Sequence, residues 1–340
     1  MAMKLDTGVT TRDLSEVAAE ARKAEELGFD AIWSMEAGND GFLPLAIAAE
    51  HTQRIKMGPA VAIAFPRSPM AMAYTSWDLA ALSKGRFVLG LGTQVKGHIE
   101  RRYGVKWEPP VAKLRDYIGA LKAIFKCWQE GGKKLSYQSK HFNLSLMTPF
   151  FAPKPHDYKI PIYIAGVNEH ILRLAGEHCD GLHAHPFTSP KYLREFLMPH
   201  IEEGLKKSVR SRKDFTIFTS AFVIVGRNDE ELKRAREGVR QQISFYASTR
   251  TYQVVLDTHG WGDTASKLNE LSAKGDWGSM PKLITDEMLD VYAVTGNYDN
   301  IGDKVRERFD GLLDRVSFYI PYKSSFDDAT WARLCKQFNG

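Results

Sequence analysis

Residues Ile55–Gly104 read IKMGPAVAIAFPRSPMAMAYTSWDLAALSKGRFVLGLGTQVKGHIERRYG, and the order of elements in this stretch decides the fold. The apolar run Met57–Phe65 is too short to cross a bilayer and is bounded by Pro66 and Pro69, so it reads as a fully buried strand. A helix follows, with Ser68 as candidate N-cap, Pro69 at its first position and Met72, Trp77, Leu79 and Leu82 on its apolar face. Lys84-Gly85 stops it. Arg86–Gly92 is then a second buried strand, whose glycines let a ligand approach the backbone where the strand ends, at Thr93-Gln94. Strand, helix and strand in that order form a parallel unit.

The same alternation extends outward on both sides. Lys4–Val9 is a short first strand, Ser15–Leu27 an amphipathic helix closed by Gly28, Ala31–Trp33 a second strand, and Pro44–Ala49 a second helix. After Leu114–Trp128, a helix, the stretches Leu135–Gln138 and His141–Leu144 alternate around a polar turn and read as an inserted hairpin. Strands at Pro161–Ala165, Gly181–Ala184, Thr216–Val225 and Val316–Tyr319 alternate with helices at Glu169–His178, Tyr192–Ser208, Asp229–Ser248 and Ile301–Leu312. Repeated strand–helix units with no other antiparallel pair predict a parallel sheet with right-handed crossovers, an α/β (β/α)8 TIM barrel. One domain over 1–340 is expected, with insertions at about 129–158 and 249–295, the latter long enough for a lid or a subunit contact.

Composition narrows the function classes. With 44% hydrophobic and 26% charged residues the chain is ordinary globular material. Three widely spaced cysteines, Cys127, Cys179 and Cys335, without a CxxC pair, argue for a reducing compartment and against structural zinc. Neither a signal peptide nor an apolar run of membrane length is apparent, so the cytoplasm is the expected location. The net charge of +5 is spread among acids rather than clustered, which predicts no nucleic-acid partner but suits an anionic small molecule.

Gly90-Leu91-Gly92 is not a dinucleotide fingerprint, since Val95 stands where the third glycine belongs and the motif lies within a strand. Together with Gly28–Trp33, Arg54–Gly58, Arg67-Ser68-Pro69, Leu82–Phe87 and Ile164-Ala165-Gly166, it resembles the luciferase-like monooxygenase superfamily of flavin- and deazaflavin-dependent TIM barrels. The segment Gly92–Val95 with His98–Arg102 is most similar to members that use coenzyme F420. The resemblance implies an F420-dependent oxidoreductase moving a hydride between the deazaflavin and a small organic substrate, in a cytoplasmic homodimer. An FMN-dependent monooxygenase fed by a separate reductase is the alternative, and a cofactor-binding protein without turnover is the alternative of another class.

In such a barrel the chemistry sits at the carboxyl ends of the strands. Glu36 and His98 are the candidate catalytic residues there, with an ion-paired glutamate and a helix-surface histidine as the structural alternatives. The resemblance assigns cofactor contacts to Ala60 and Val61, to Thr93, Gln94 and Val95, and to Gly166 and Val167, the last pair leading into a helix start suited to phosphate. It also implies a bulge with a cis Ala60–Val61 bond, while Gly58–Pro59 stays trans. The sugar-phosphate branch of the family carries a histidine directly after the acid at Glu36, where this chain has Ala37, which argues against glucose-6-phosphate and leaves the proton carrier unassigned. His183 and His185, two apart on a strand, face the same way, and pocket lining or burial suits them better than metal binding, for which none of the expected carboxylate partners stands at a recognisable spacing.

Overall fold

Short apolar strands bury both faces only when a parallel sheet is wrapped by helices. The computed structural model has that arrangement over the residues it describes, 3–319 and 326–339. Its strands are β1 (Lys4–Gly8), β2 (Ala31–Ser34), β3 (Lys56–Pro59), β4 (Ala62–Ile63) and β5 (Leu89–Gly92), then the hairpin β6 (Tyr137–Gln138) and β7 (Asn143–Leu144). They continue with β8 (Ile162–Gly166), β9 (Gly181–Ala184), β10 (Thr216–Val225), β11 (Ala293–Gly296) and β12 (Arg315–Phe318). The hydrogen-bonded order is β3-β2-β1-β12-β10-β9-β8-β5-β4, parallel throughout. Because β3 and β4 are the two halves of one interrupted strand, and the Val88 amide donates to Met57 O at 2.8 Å, the order returns to its start and eight strand positions make a (β/α)8 barrel. The interruption is at Ala60–Val61, whose bond is cis while Gly58–Pro59 is trans.

The helices start and stop where local chemistry directs. α1 (Val17–Leu27) ends at Gly28, whose φ of 97° lets its amide reach back to the carbonyls of Ala24 and Glu25. α2 (Leu43–His51) precedes β3, and α3 (Pro69–Leu82) begins with Ser68 Oγ accepting from the Ala71 amide at 3.1 Å. Arg86, the charged residue leading into β5, is tied down by carbonyls of Ala49, Thr52, Ile55 and Ser83, which explains its tolerance beside a buried strand. α4 (Lys96–Arg101), α5 (Pro110–Gln129) and α6 (Glu169–His178) follow. The expected Tyr192–Ser208 helix instead starts at Pro190, capped by Ser189, and passes from α7 (Pro190–Tyr192) through a π turn at Leu193–Leu197 into α8 (Met198–Lys207).

Two cores result. Apolar residues such as Leu5, Ile32, Leu89, Leu91 and Ile164 pack outward against the helices. Inside the barrel, Trp33, Val88, Tyr163 and Phe218 pack with Ala31 and Ala60. Beside them Asp6 and Arg315 form a bidentate pair at 2.6 and 2.9 Å, and the Trp33 indole N–H donates to the same carboxylate at 2.9 Å. Each buried charge therefore has a partner, as burial demands.

The hairpin insertion is anchored to α5 by Tyr137, which donates to Asp116 O at 2.9 Å, and by His141 against the Asp116 carboxylate at 2.6 Å. After α9 (Asp229–Ala247), the 249–295 segment is more ordered than scattered helical signals implied: α10 (Gln253–Asp257), α11 (Gly262–Lys274), α12 (Asp286–Tyr292) and β11, which lengthens the sheet by pairing with Phe222–Val225. α13 (Ile301–Phe309) leads into β12. A final helix at Asp328–Asn339, unassigned from sequence, lays Trp331 against Phe29 at 5.3 Å.

Candidate active site at the carboxyl ends of the strands

The mouth of the barrel has two unlike halves. On the side of β4, β5 and β8 the inward positions are Gly92, Ala165 and their neighbours, all small residues, with the Val61 side chain folded over Gly92. A Cβ at Gly92 would lie 2.5 Å from Val61 Cγ2, so the glycine is required by the bulge folded over it. Beyond β5, Thr93 Oγ1 donates to Gln94 O at 3.2 Å, and Gln94 sits at a φ of 56° with its side-chain oxygen accepting from the Val95 amide at 2.9 Å. A non-glycine residue held in the left-handed region beside a cleft is the kind of outlier that functional sites carry. Val95 is exposed and opens α4.

Gly166 ends β8, and Val167 O accepts from Tyr192 Oη at 2.5 Å. Asn168 then stands at the N-cap of α6 without making a side-chain cap; its amide donates to Thr251 O at 3.0 Å instead. The opening turn of α6 thus keeps its N–H groups uncovered by a capping side chain, and the positive end of the helix faces the mouth. Small residues along the strand ends and an uncapped helix start are what this half offers a cofactor with a flat ring and a phosphate.

Glu36, immediately beyond β2, is nearly buried and fully engaged. Its Oε2 accepts from the Ile63 amide at 2.8 Å, its Oε1 from Arg67 at 2.7 Å, and Arg67 also reaches Asp40 at 3.1 Å. The carboxylate is therefore an ion-paired anchor holding the strand just past the bulge. His98 lies on α4 and is exposed, with neighbouring Ile99 taking the buried position. The structure brings Glu36, Ala60, Val61, Gly92, Thr93 and Gly166 to one end of the barrel, while His98 sits on the solvent-exposed surface of its short helix.

The other half, formed by β9, β10 and β12, is aromatic. His183 lies below it, with Trp33, Phe218 and Tyr163 rings at 4.9, 5.2 and 5.5 Å. Neither of its ring nitrogens has a partner among the described residues, and burial pushes its pKa down to about 3, so it is a neutral imidazole. Of pocket lining and burial, His183 takes the second, enclosed by rings with no hydrogen bond among the described residues. His185 does gain a bond, its Nδ1 accepting from the Phe187 amide at 3.1 Å, and burial holds it too at about 3. Its ring stacks on Tyr252 at 4.2 Å and meets Tyr246 edge-on at 4.5 Å. Tyr246 and Tyr319 share a hydroxyl–hydroxyl bond of 2.6 Å. Among the described residues no group of three His, Cys, Asp or Glu is placed to hold a metal ion, and no helix is long and apolar enough to cross a membrane.

Sequence reasoning missed these tyrosines. For Tyr319 a signal existed, since it shares the inward phase of Arg315 and Ser317. Tyr246 and Tyr252 carry none, because they reach the mouth from the end of α9 and from the insertion.

Small residues at the strand ends and an uncapped helix start place the candidate site of this TIM barrel at the carboxyl ends of its strands. Residues 2–315 match the luciferase-like monooxygenase family, and the chain belongs to it. An uncharacterized protein of Mycobacterium tuberculosis is 43% identical over 315 residues, 92% of each chain. The 5,10-methylenetetrahydromethanopterin reductase of Archaeoglobus fulgidus is 30% identical over 299 residues, 86% of this chain and 85% of the reductase. The coenzyme F420-dependent tetrahydromethanopterin reductase of Methanopyrus kandleri shares the fold, with a TM-score of 0.77 at 22% identity over 99% of this chain and 98% of that one. Among similar proteins, one of Mycobacterium tuberculosis, 28% identical over 298 residues, is a putative coenzyme F420-dependent oxidoreductase, and the oxygenating constituent of a Pseudomonas putida diketocamphane monooxygenase was solved with FMN.

Proposed function

We propose that the protein is an F420-dependent oxidoreductase that moves a hydride between the deazaflavin and a small organic substrate. The observation that supports this is the wall of small residues, Gly92 and Ala165, leading to the uncapped start of α6, whose amides suit a phosphate. Ala60 and Val61 would lie against the ring, Thr93, Gln94 and Val95 along its polar edge, and Gly166 and Val167 beside the phosphate-bearing chain. F420 is preferred to FMN because the Thr93–Val95 and His98 segment resembles deazaflavin users, because a putative oxidoreductase of Mycobacterium tuberculosis and the Methanopyrus kandleri reductase, both similar to this chain, are F420-dependent by name, and because the mild positive charge suits a glutamylated tail. When bound, the cofactor supplies the two electrons as hydride. Glu36 acts in this reading by holding the bulge through Ile63 and Arg67, and His98 stays as a candidate contact on the rim. The protomers pair as a homodimer in the cytoplasm.

Fluorescence titration of the purified protein with F420 and with FMN tests the reading. F420 is expected to bind more tightly. FMN binding without F420 binding would transfer the protein to the FMN monooxygenases, and F420 binding with no turnover of any reducible substrate would favour a carrier role.

A further inference from the structure

Among the clusters at the mouth, one is built entirely of neutral hydrogen-bond donors. Arg315 reaches inward to Asp6, and Ser317 Oγ meets Ser220 Oγ at 2.9 Å inside the barrel, so Tyr319, two positions further, is directed to the same side at the open end. Its amide donates to Ala221 O at 2.8 Å, and its ring lies 4.7 Å from that of Phe222, which fixes it on two neighbouring strands. Tyr246 descends from the last turn of α9 to bond the Tyr319 hydroxyl. His185 stands beside Tyr246 with Nδ1 occupied as an acceptor, so the proton of the neutral ring resides on Nε2, for which no partner is present among the described residues.

We propose that Tyr319 is the residue that exchanges a proton with the substrate's oxygen, with Tyr246 as its relay and the Nε2–H of His185 as a second donor, and that the substrate is a carbonyl compound or the corresponding alcohol. The proposal rests on reading the opposite wall as a deazaflavin site. Burial, and then the bond to Tyr319, push the ionisation of Tyr246 upward, so Tyr246 keeps its proton; either hydroxyl can donate in their shared bond, and the relay uses the arrangement in which Tyr246 donates to the Tyr319 oxygen. Tyr319 is then free to donate its own.

The balance is simple. In the reducing direction the carbonyl carbon takes the hydride furnished by the reduced deazaflavin, and the C=O π electrons move to oxygen. The oxygen takes the proton of Tyr319 Oη, giving the alcohol. Tyr319 recovers a proton from Tyr246, and Tyr246 from water, since both side chains are only part-buried. The oxidising direction runs the same transfers backward. Neutral donors at the oxygen stabilise the charge that develops there without holding a competing anion, and the flat ring of half-buried Tyr252 favours a conjugated or planar substituent.

The test uses the full chain and para-dimethylaminocinnamaldehyde, a planar aldehyde whose absorption moves to the red when its carbonyl oxygen accepts hydrogen bonds. Wild type is expected to bind it with a saturable red shift. Tyr319→Phe should bind it, as followed by quenching of tryptophan fluorescence, with the shift lost, and Tyr246→Phe should leave a smaller shift. Turnover of the aldehyde with reduced F420 should fall about 10²–10³-fold in kcat for Tyr319→Phe with KM changed far less. An undiminished red shift in Tyr319→Phe, or no aldehyde binding or no shift in wild type, overturns the proposal. F420 titration of the same proteins separates the two readings: F420 binding that persists while the red shift is insensitive to Tyr319 sinks this subsite alone, whereas absent F420 binding sinks the cofactor reading.

Discussion

Replacing Glu36 by glutamine separates an anchoring role from proton transfer. The carboxylate accepts from the Ile63 amide at 2.8 Å and from Arg67 at 2.7 and 2.9 Å, and its side chain is only 7% exposed. Glutamine has nearly the same shape but one acceptor oxygen, so either the Ile63 amide or the guanidinium loses its partner and faces an NH2 group. Bonds to charged groups contribute ~1.5–3 kcal/mol. Arg67 retains Asp40 at 3.1 Å and is 26% exposed, which puts the loss at the lower end, ~1.5–2 kcal/mol. For a chain of this size that lowers Tm by about 2–3 °C. A proton-carrying glutamate would instead cost about 10²–10⁴ in kcat with an unchanged melt. The assay is a double-mutant cycle of Glu36→Gln and Arg67→Met, read by denaturant unfolding, with F420 affinity measured in parallel. The expected coupling is ~1.5 kcal/mol with a loss of F420 affinity of about tenfold or less. Additivity within ~0.3–0.5 kcal/mol would refute the anchor.

Gly92→Ala places a methyl 2.5 Å from Val61 Cγ2, so it should destabilise by ~1–3 kcal/mol and weaken F420 binding, whereas unchanged titration and melt would mean that the bulge is free to move. Burial holds His183 at about 3 against the ordinary 6.5, so the unfolded chain binds the proton first as pH falls. The stability involved is whole above pH ~6.5 and is lost between ~6.5 and ~3, at up to ~1.4 kcal/mol per pH unit. His183→Met removes that loss, and its Tm relative to wild type should rise as pH is lowered from about 7 to about 5; parallel curves would contradict a buried neutral imidazole.

The barrel was legible because its signals are local. Each strand reads as a short apolar run, each helix carries its own stop, and Gly28, Ser68 and Lys84-Gly85 act within a turn of where they stand. The glycine-ended β5 was legible for the same reason. The base of the barrel was not, because Asp6 and Arg315 are distant in sequence and nothing near either one announces the other. Glu36 could be placed at the mouth from its position after β2, yet its engagement with Ile63 and Arg67 depends on how the interrupted strand folds back. β11 escaped notice because its pairing requires β10 to outlast the barrel by four residues, Phe222–Val225.

The division of the mouth explains why a cofactor class can be argued from this chain while a substrate is much harder to name. A wall that holds a planar ring by backbone must be glycine and alanine at fixed positions on strands the barrel itself needs, so it leaves a mark in the sequence. The facing wall is assembled from side chains, and two of its rings, Tyr246 and Tyr252, arrive from the end of α9 and from the insertion, outside the strands. Neither ring is needed to close the barrel, so the fold places no demand on their identity. Tyr246, from α9, meets His185 and Tyr319, and Tyr252, from the insertion, meets His185; the insertion also meets the chain beyond β9 through His259 on Ser189 and Tyr292 on Phe187. Asn168 adds a tie from the α6 start to Thr251 of the insertion, next to Tyr252. A change of substrate is thus open to the insertion without refolding the cradle, provided that this tie is kept.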